Sequence, residues 1–134
     1  MARYLLDSVI VIDHFNGVAA ATEFLTVRGR DCVISVITRA ETLAGFPSAS
    51  EPLARVLLDR FATMPVTVEV ADLAARLRRT QGWKLPDAIQ AAIAIQEGLT
   101  LVTRNTRDFK AGGPLTVETP YQIPDPFKRK NAAT

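Results

Sequence analysis

Short apolar runs alternate with stretches of helical spacing along this chain, and that alternation confines it to a parallel α/β sheet. Tyr4-Leu5-Leu6, Cys32-Val33-Ile34-Ser35-Val36 and Thr100-Leu101-Val102-Thr103 read as strands. The second is apolar on both faces, as a strand covered by helices on both sides must be. Helices are expected over residues 8–16, 19–27, 38–44, 53–61 and 87–97, with another marked by Ala71, Leu73, Ala74 and Leu77. Gly17, Gly29, Gly45, Gly82 and Gly98 stand where these patterns stop, and Pro86 stands where the last one starts. Residues 47–52 read as a polar loop, residues 65–68 as a short strand and residues 104–108 as a loop. Gly112-Gly113-Pro114 reads as a turn before a last strand, Leu115-Thr116-Val117.

The length of 134 residues fits one domain, expected over residues 1–119, with a proline-containing basic tail over 120–134 that is loosely ordered. A chain of this size buries enough surface to fold without a disulfide or a structural metal. Cys32 is the single cysteine, so no internal disulfide forms, and its apolar neighbours make it a core residue. The first residues carry too short an apolar run for a secretion signal, and no stretch approaches a membrane span. A reducing cytoplasm is the expected setting. Sixteen Lys and Arg nearly balance fourteen Asp and Glu, for a net charge of +2. The balance leaves room for an acidic pocket among basic flanks, and equally describes a well-mixed surface.

Four acids share a kind of position. Asp7 ends the first strand, Glu41 lies on the helix after the second, Asp87 opens the Ala-rich helix, and Asp108 follows the strand at 100–103. In an open parallel sheet these places meet at the carboxyl edge of the strands. Converging carboxylates repel one another, so a cluster that stays ionised wants a hard cation such as Mg²⁺ or Mn²⁺. Each acid also has a purely structural reading. Asp7 can cap a helix, Glu41 can complete a capping box with Thr38, Asp87 can favour the positive end of its helix, and Asp108 can close a turn.

Those acids lie in four segments that carry a family resemblance. Residues 5–13 (Leu5-Leu6-Asp7-Ser8-Val9), residues 35–41 (Thr38-Arg39-Ala40-Glu41), residues 85–94 (Leu85-Pro86-Asp87-Ala88) and residues 101–109 (Thr103-Arg104-Asn105-Thr106-Arg107-Asp108-Phe109) resemble the PIN domain. Within it, they are most similar to the VapC toxins of bacterial toxin–antitoxin pairs. The resemblance implies a single domain with a Rossmann-like central parallel sheet flanked by helices. It implies an endoribonuclease with Mg²⁺ or Mn²⁺ as cofactor, held by Asp7, Glu41, Asp87 and Asp108. Water activated by the ion attacks phosphorus, leaving a 5′-phosphate and a 3′-hydroxyl. Ser8, Thr103 and Asn105 become candidate supporting residues, and Arg39, Arg104 and Arg107 candidate phosphate-binding ones. The implied partners are RNA, a VapB-type antitoxin and a second copy of the chain, in homodimers or toxin–antitoxin hetero-oligomers. Phe15, Phe24, Phe46 and Phe61 are candidates to line a groove for the antitoxin tail, or else core.

One place departs from the family pattern. Val9 stands where a small polar residue is usual, which puts one supporting contact in question. His14 is the only histidine, which disfavours a histidine-pair ribonuclease, and it is expected on a helix surface. A non-catalytic PIN scaffold that binds RNA or protein is the alternative reading. A phosphoryl-aspartate domain is a second, disfavoured because Val9 replaces the second aspartate of the phosphatase type and no lysine follows the last strands as a receiver requires.

Overall fold

The computed structural model describes residues 2–107, 109 and 113–123. Among them run β1 (Tyr4–Leu6), α1 (Ser8–Phe15), α2 (Ala19–Arg28), β2 (Cys32–Ser35), α3 (Val36–Ala44), α4 (Glu51–Leu58), β3 (Thr63–Met64), α5 (Val68–Gln81), α6 (Leu85–Glu97), β4 (Thr100–Val102) and β5 (Val117–Glu118). The strands form one sheet in the order β3-β2-β1-β4-β5, every neighbouring pair parallel. The chain winds outward from β1 through β2 to β3, then crosses back to lay β4 on the other side of β1. That reversal opens a crevice at the carboxyl ends of β1 and β4, where ligands of such sheets bind. Asp7 and Thr103 are the first residues past those two ends.

Alternation along the strands divides the core in two. Leu5, Val33 and Leu101 face α5 and α6, packing with Ala74, Ala88, Ala91, Ala92 and Ile93. Tyr4, Leu6, Ile34 and Val102 face the other way, packing with Ile10, Val11, Phe24 and Leu58 from α1, α2 and α4. Leu5, Leu6, Ile34 and Leu101 are fully buried, each contributing roughly 2 kcal/mol of burial free energy. The run of alanines lets α6 lie close to both α5 and the sheet. Gly98, at φ +65°, ends α6 in the left-handed region and turns the chain into β4.

Several boundaries differ from the sequence expectation. The second strand stops at Ser35, one residue early, and α3 begins at Val36 instead of residue 38, because the Ser35 hydroxyl caps it by accepting from the Thr38 N–H at 3.0 Å. The strand expected at 65–68 is instead β3 at Thr63–Met64. Pro65 has no N–H for a ladder, and Thr67 caps α5 through Val70 N–H, which makes Val68 helical. The helix expected over 53–61 is α4 at Glu51–Leu58. Its buried face is Ala54 and Leu58, while Leu53 and Val56, which helical spacing sets on one face with Leu57 and Phe61, are 68% and 67% exposed. β5 is Val117–Glu118, with Leu115 in an isolated bridge before it. Tyr121, assigned from sequence to the loose tail, packs against the core cluster of α1 and α2.

Candidate active site

Asp7 is built into the end of β1. Its backbone N–H donates to Val102 O at 2.9 Å, continuing the β1–β4 pairing past the strand, and the residue is 7% exposed. One carboxylate oxygen accepts from the Ser8 N–H at 2.9 Å and the other from the Thr103 hydroxyl at 2.7 Å. Asp7 is therefore the N-cap of α1, as its structural reading held, and also a carboxylate fixed at the sheet crevice. Thr103, fully buried, accepts in turn from the Asn105 N–H at 3.0 Å, so the turn after β4 is folded around the hydroxyl that grips Asp7.

Glu41 is tied to the same place. The Ser8 hydroxyl donates to Glu41 Oε1 at 3.1 Å, bridging α1 and α3 beside Asp7. The capping-box reading of Glu41 falls away, because Ser35 caps α3 and Thr38 lies inside the helix with its hydroxyl on Leu6 O at 2.8 Å. Partial burial raises the Glu41 carboxyl above its ordinary value; the Ser8 hydrogen bond opposes the rise and the negative Asp7 adds to it. That repulsion between acids 34 positions apart is the electrostatic sign of convergence. Asp87 is half-buried in the first turn of α6, behind Pro86. Asp108 lies outside the described residues.

Among the described residues, the donors at this place are carboxylate and hydroxyl oxygens, a chemistry that suits a hard divalent ion. Among the described residues, no three His, Cys, Asp or Glu side chains already stand together at ion-holding distance. His14 is engaged elsewhere, its ring 2.7 Å from the Thr22 hydroxyl. Cys32 is 5% exposed, and burial, with Asp31 nearby, pushes its thiol up to about 12, which makes it a core residue and a poor nucleophile.

Residues 4–113 match the sequence profile of the PIN domain. This chain belongs to the PIN-domain family. A Mycobacterium tuberculosis protein named Ribonuclease VapC10 is 32% identical over 127 residues, covering 90% of this chain and 94% of that relative. A chain in the structure of a toxin–antitoxin complex from Klebsiella pneumoniae superposes with a TM-score of 0.82 at 36% identity, covering 90% of this chain and 99% of its own. The DNA-bound VapBC of Salmonella typhimurium shares the fold, with a TM-score of 0.76 at 21% identity over 88% of this chain and 98% of that one.

The arginines of this PIN domain are divided in use. Arg104 makes a bidentate pair with Asp13, at 2.6 and 3.0 Å, and Arg39 pairs with Asp59 at 2.9 Å. Arg107 is exposed. Asp13 was not picked out from sequence as more than a helix residue. It is 4% exposed and accepts a third bond from the Tyr121 hydroxyl at 2.8 Å. Burial opposes its ionisation, but Arg104 and Tyr121 together outweigh burial and hold the carboxyl below its usual value. Gln90 was also missed. It is 1% exposed, accepts from the Ser35 hydroxyl, and donates to the Thr38 hydroxyl at 2.6 Å. The available signal was a lone amide in the Ala- and Ile-rich run of α6. Of the four phenylalanines considered for a groove, Phe24 is buried and Phe15 stacks edge-on with Phe46 at 4.9 Å. Phe61 lines a cavity of about 340 Å³ with Leu25, Leu57, Arg30 and Arg60. No helix among the described residues is long and apolar enough to cross a membrane.

Proposed function

We propose that this chain is a Mg²⁺- or Mn²⁺-dependent endoribonuclease toxin of the VapC type, neutralised by a cognate antitoxin. The observation that carries the reading is the grip on Asp7. A buried carboxylate at the crevice of the sheet is fixed through both oxygens, with a second acid, Glu41, held beside it through Ser8, whose N–H donates to Asp7 and whose hydroxyl donates to Glu41. Membership of the PIN family and the likeness to a ribonuclease and to a chain of a toxin–antitoxin complex support it.

In this reading Asp7 and Asp87 are the principal ligands, and Glu41 and Asp108 complete the site. A bound divalent ion supplies the charge that activates water and stabilises the leaving oxygen of a phosphodiester. The remaining work belongs to the chain itself. Thr103 and the Ser8 N–H aim the Asp7 oxygens, and Ser8 keeps Glu41 within reach of them. Arg107, exposed beside the crevice loop, is the arginine best placed to meet a flanking phosphate, since Arg39 and Arg104 are held by Asp59 and Asp13. The partner is an antitoxin segment with apolar side chains for the cavity at Leu25, Leu57 and Phe61. Homodimers and hetero-oligomers with the antitoxin, in the cytoplasm, complete the picture.

The test is cleavage of structured RNA by the full chain with Mg²⁺ or Mn²⁺, against EDTA and against Asp7→Asn and Asp87→Asn. Each substitution is expected to lower the rate about a hundredfold, and EDTA to abolish it. Equal cleavage by all three proteins sinks the assignment.

A further inference from the structure

A closed set of buried hydrogen bonds joins the elements that carry Asp7, Glu41 and Asp87. Ser35, Thr38 and Gln90 are each 1% exposed or less. The Ser35 hydroxyl donates to Gln90 Oε1 and accepts from the Thr38 N–H at 3.0 Å. Gln90 Nε2 donates to Thr38 Oγ1 at 2.6 Å, and that hydroxyl donates to Leu6 O at 2.8 Å. The bonds join β2, α3, α6 and β1, spanning 52 to 55 positions between α6 and the other side chains. A glutamine sealed in an apolar helix face costs free energy unless its amide is satisfied, so this one is retained with its partners or not at all.

The members sit at fixed offsets from the acids. Leu6 immediately precedes Asp7. Thr38 stands one turn before Glu41 on the same face of α3, and Gln90 one turn after Asp87 on the same face of α6. We infer that Gln90 and Thr38 are positioning residues: the Gln90–Thr38–Leu6 O chain sets the spacing between Asp87, Glu41 and Asp7. The inference rests on the nuclease reading above. A fixed spacing among these acids needs such a brace, because Asp7 caps α1, Glu41 stands on α3 and Asp87 on α6. Asp7 already has Thr103 for this purpose. The Gln90 brace extends the constraint to the two helices that bear the other acids.

The experiment compares native protein with Gln90→Met, Thr38→Val and Thr38→Ser, all as full chains. Three quantities are measured: binding of Mn²⁺ alone by titration calorimetry, kcat and KM for RNA cleavage, and Tm without metal. Gln90→Met and Thr38→Val are expected to weaken Mn²⁺ binding about tenfold and to lower kcat by about as much at saturating Mn²⁺. KM for RNA should stay within about twofold, since no substrate contact is removed. Thr38→Ser keeps the hydroxyl and is expected to recover most of both losses. Folded Gln90→Met and Thr38→Val proteins with native Mn²⁺ affinity and native kcat, changed only in Tm, overturn the inference. If Gln90→Met does not fold, the contrast between Thr38→Val and Thr38→Ser decides alone. A native protein that neither binds Mn²⁺ nor cuts RNA removes the nuclease reading and this inference with it, a result distinct from unaltered variants of an active enzyme.

Discussion

Replacing Arg104 by methionine reverses the contribution of Asp13 to the pH dependence of stability. In the native protein Asp13 is buried at 6% side-chain exposure and ionised against a bidentate guanidinium and the Tyr121 hydroxyl. Its folded pKa lies below the unfolded value of about 3.9, so its stabilising contribution is present above that pH and lost as pH falls through the folded value. Methionine keeps the aliphatic stem and deletes both charge-assisted bonds. Removing one partner of a buried ion pair costs about 3–5 kcal/mol, and the lower end applies because Arg104 is 35% exposed and Tyr121 remains. About 3 kcal/mol corresponds to a fall of roughly 10 °C in Tm for a domain of this size. Burial is the largest single influence on Asp13, ahead of Tyr121, so without Arg104 the carboxyl moves above its ordinary value. Its cost then sets in as pH rises through the unfolded value and shrinks as pH falls. The Tm gap between native and Arg104→Met is therefore widest near neutrality and narrows toward pH 4. Differential scanning calorimetry of both proteins from pH 4 to 8 reads this directly, because other carboxylates are common to both and cancel. A gap of under about 3 °C at neutrality, or one that does not change with pH, refutes the account of Asp13 as a charge sealed by Arg104.

Asp7→Asn should lower the Tm of the metal-free protein by no more than about 4 °C, because asparagine keeps the helix cap and one repulsive charge is gone, while only the bond accepted from the Thr103 hydroxyl is lost. The same substitution should lower the Glu41 pKa toward its ordinary value in a carbon-detected titration, since the Asp7 charge is one of the influences that raise it; an unchanged value means the two carboxyls do not sense each other. Cys32 should resist alkylation by iodoacetamide at pH 8 in the folded protein and react on unfolding, because burial leaves almost no thiolate. Rapid labelling of the native protein contradicts its place in the core.

The central strands were legible because both of their faces are buried, which writes a continuous apolar run into the sequence at Tyr4–Leu6 and Cys32–Ser35. The outer strands β3 and β5 were not. Each has two residues, and its place is decided by the neighbour it pairs with, not by its own pattern. The phase of α4 was misjudged for a related reason. Leu53, Val56, Leu57 and Phe61 share a helical spacing, but packing against the sheet selects Ala54 and Leu58, and alanine gives no hydrophobic signal of its own. Asp7 and Glu41 were legible from their places after strands, because topology alone brings such places together. Their supports were not. Gln90 meets Thr38 across 52 positions and Arg104 meets Asp13 across 91, and nothing local in either segment names the other.

Val9 gains a physical meaning from this arrangement. Where the family usually has a small polar residue, this chain packs Val9 against the core cluster of α1, α2 and β1. A polar side chain there offers one more hydrogen bond near the first aspartate; valine offers apolar contact and a firmer seat for α1. The Ser8 hydroxyl links α1 to Glu41, and further described bonds tie the neighbouring elements. Gln90 ties α6 to α3 and to the end of β1. Thr103 closes on Asp7, while the next residue, Arg104, is anchored to Asp13 further along α1. The turn after β4 is thus fastened at two consecutive residues to the helix that Asp7 starts. The end of β1 and the helices around it are thus held by neutral amides and hydroxyls buried between them and by one ion pair, Arg104 with Asp13.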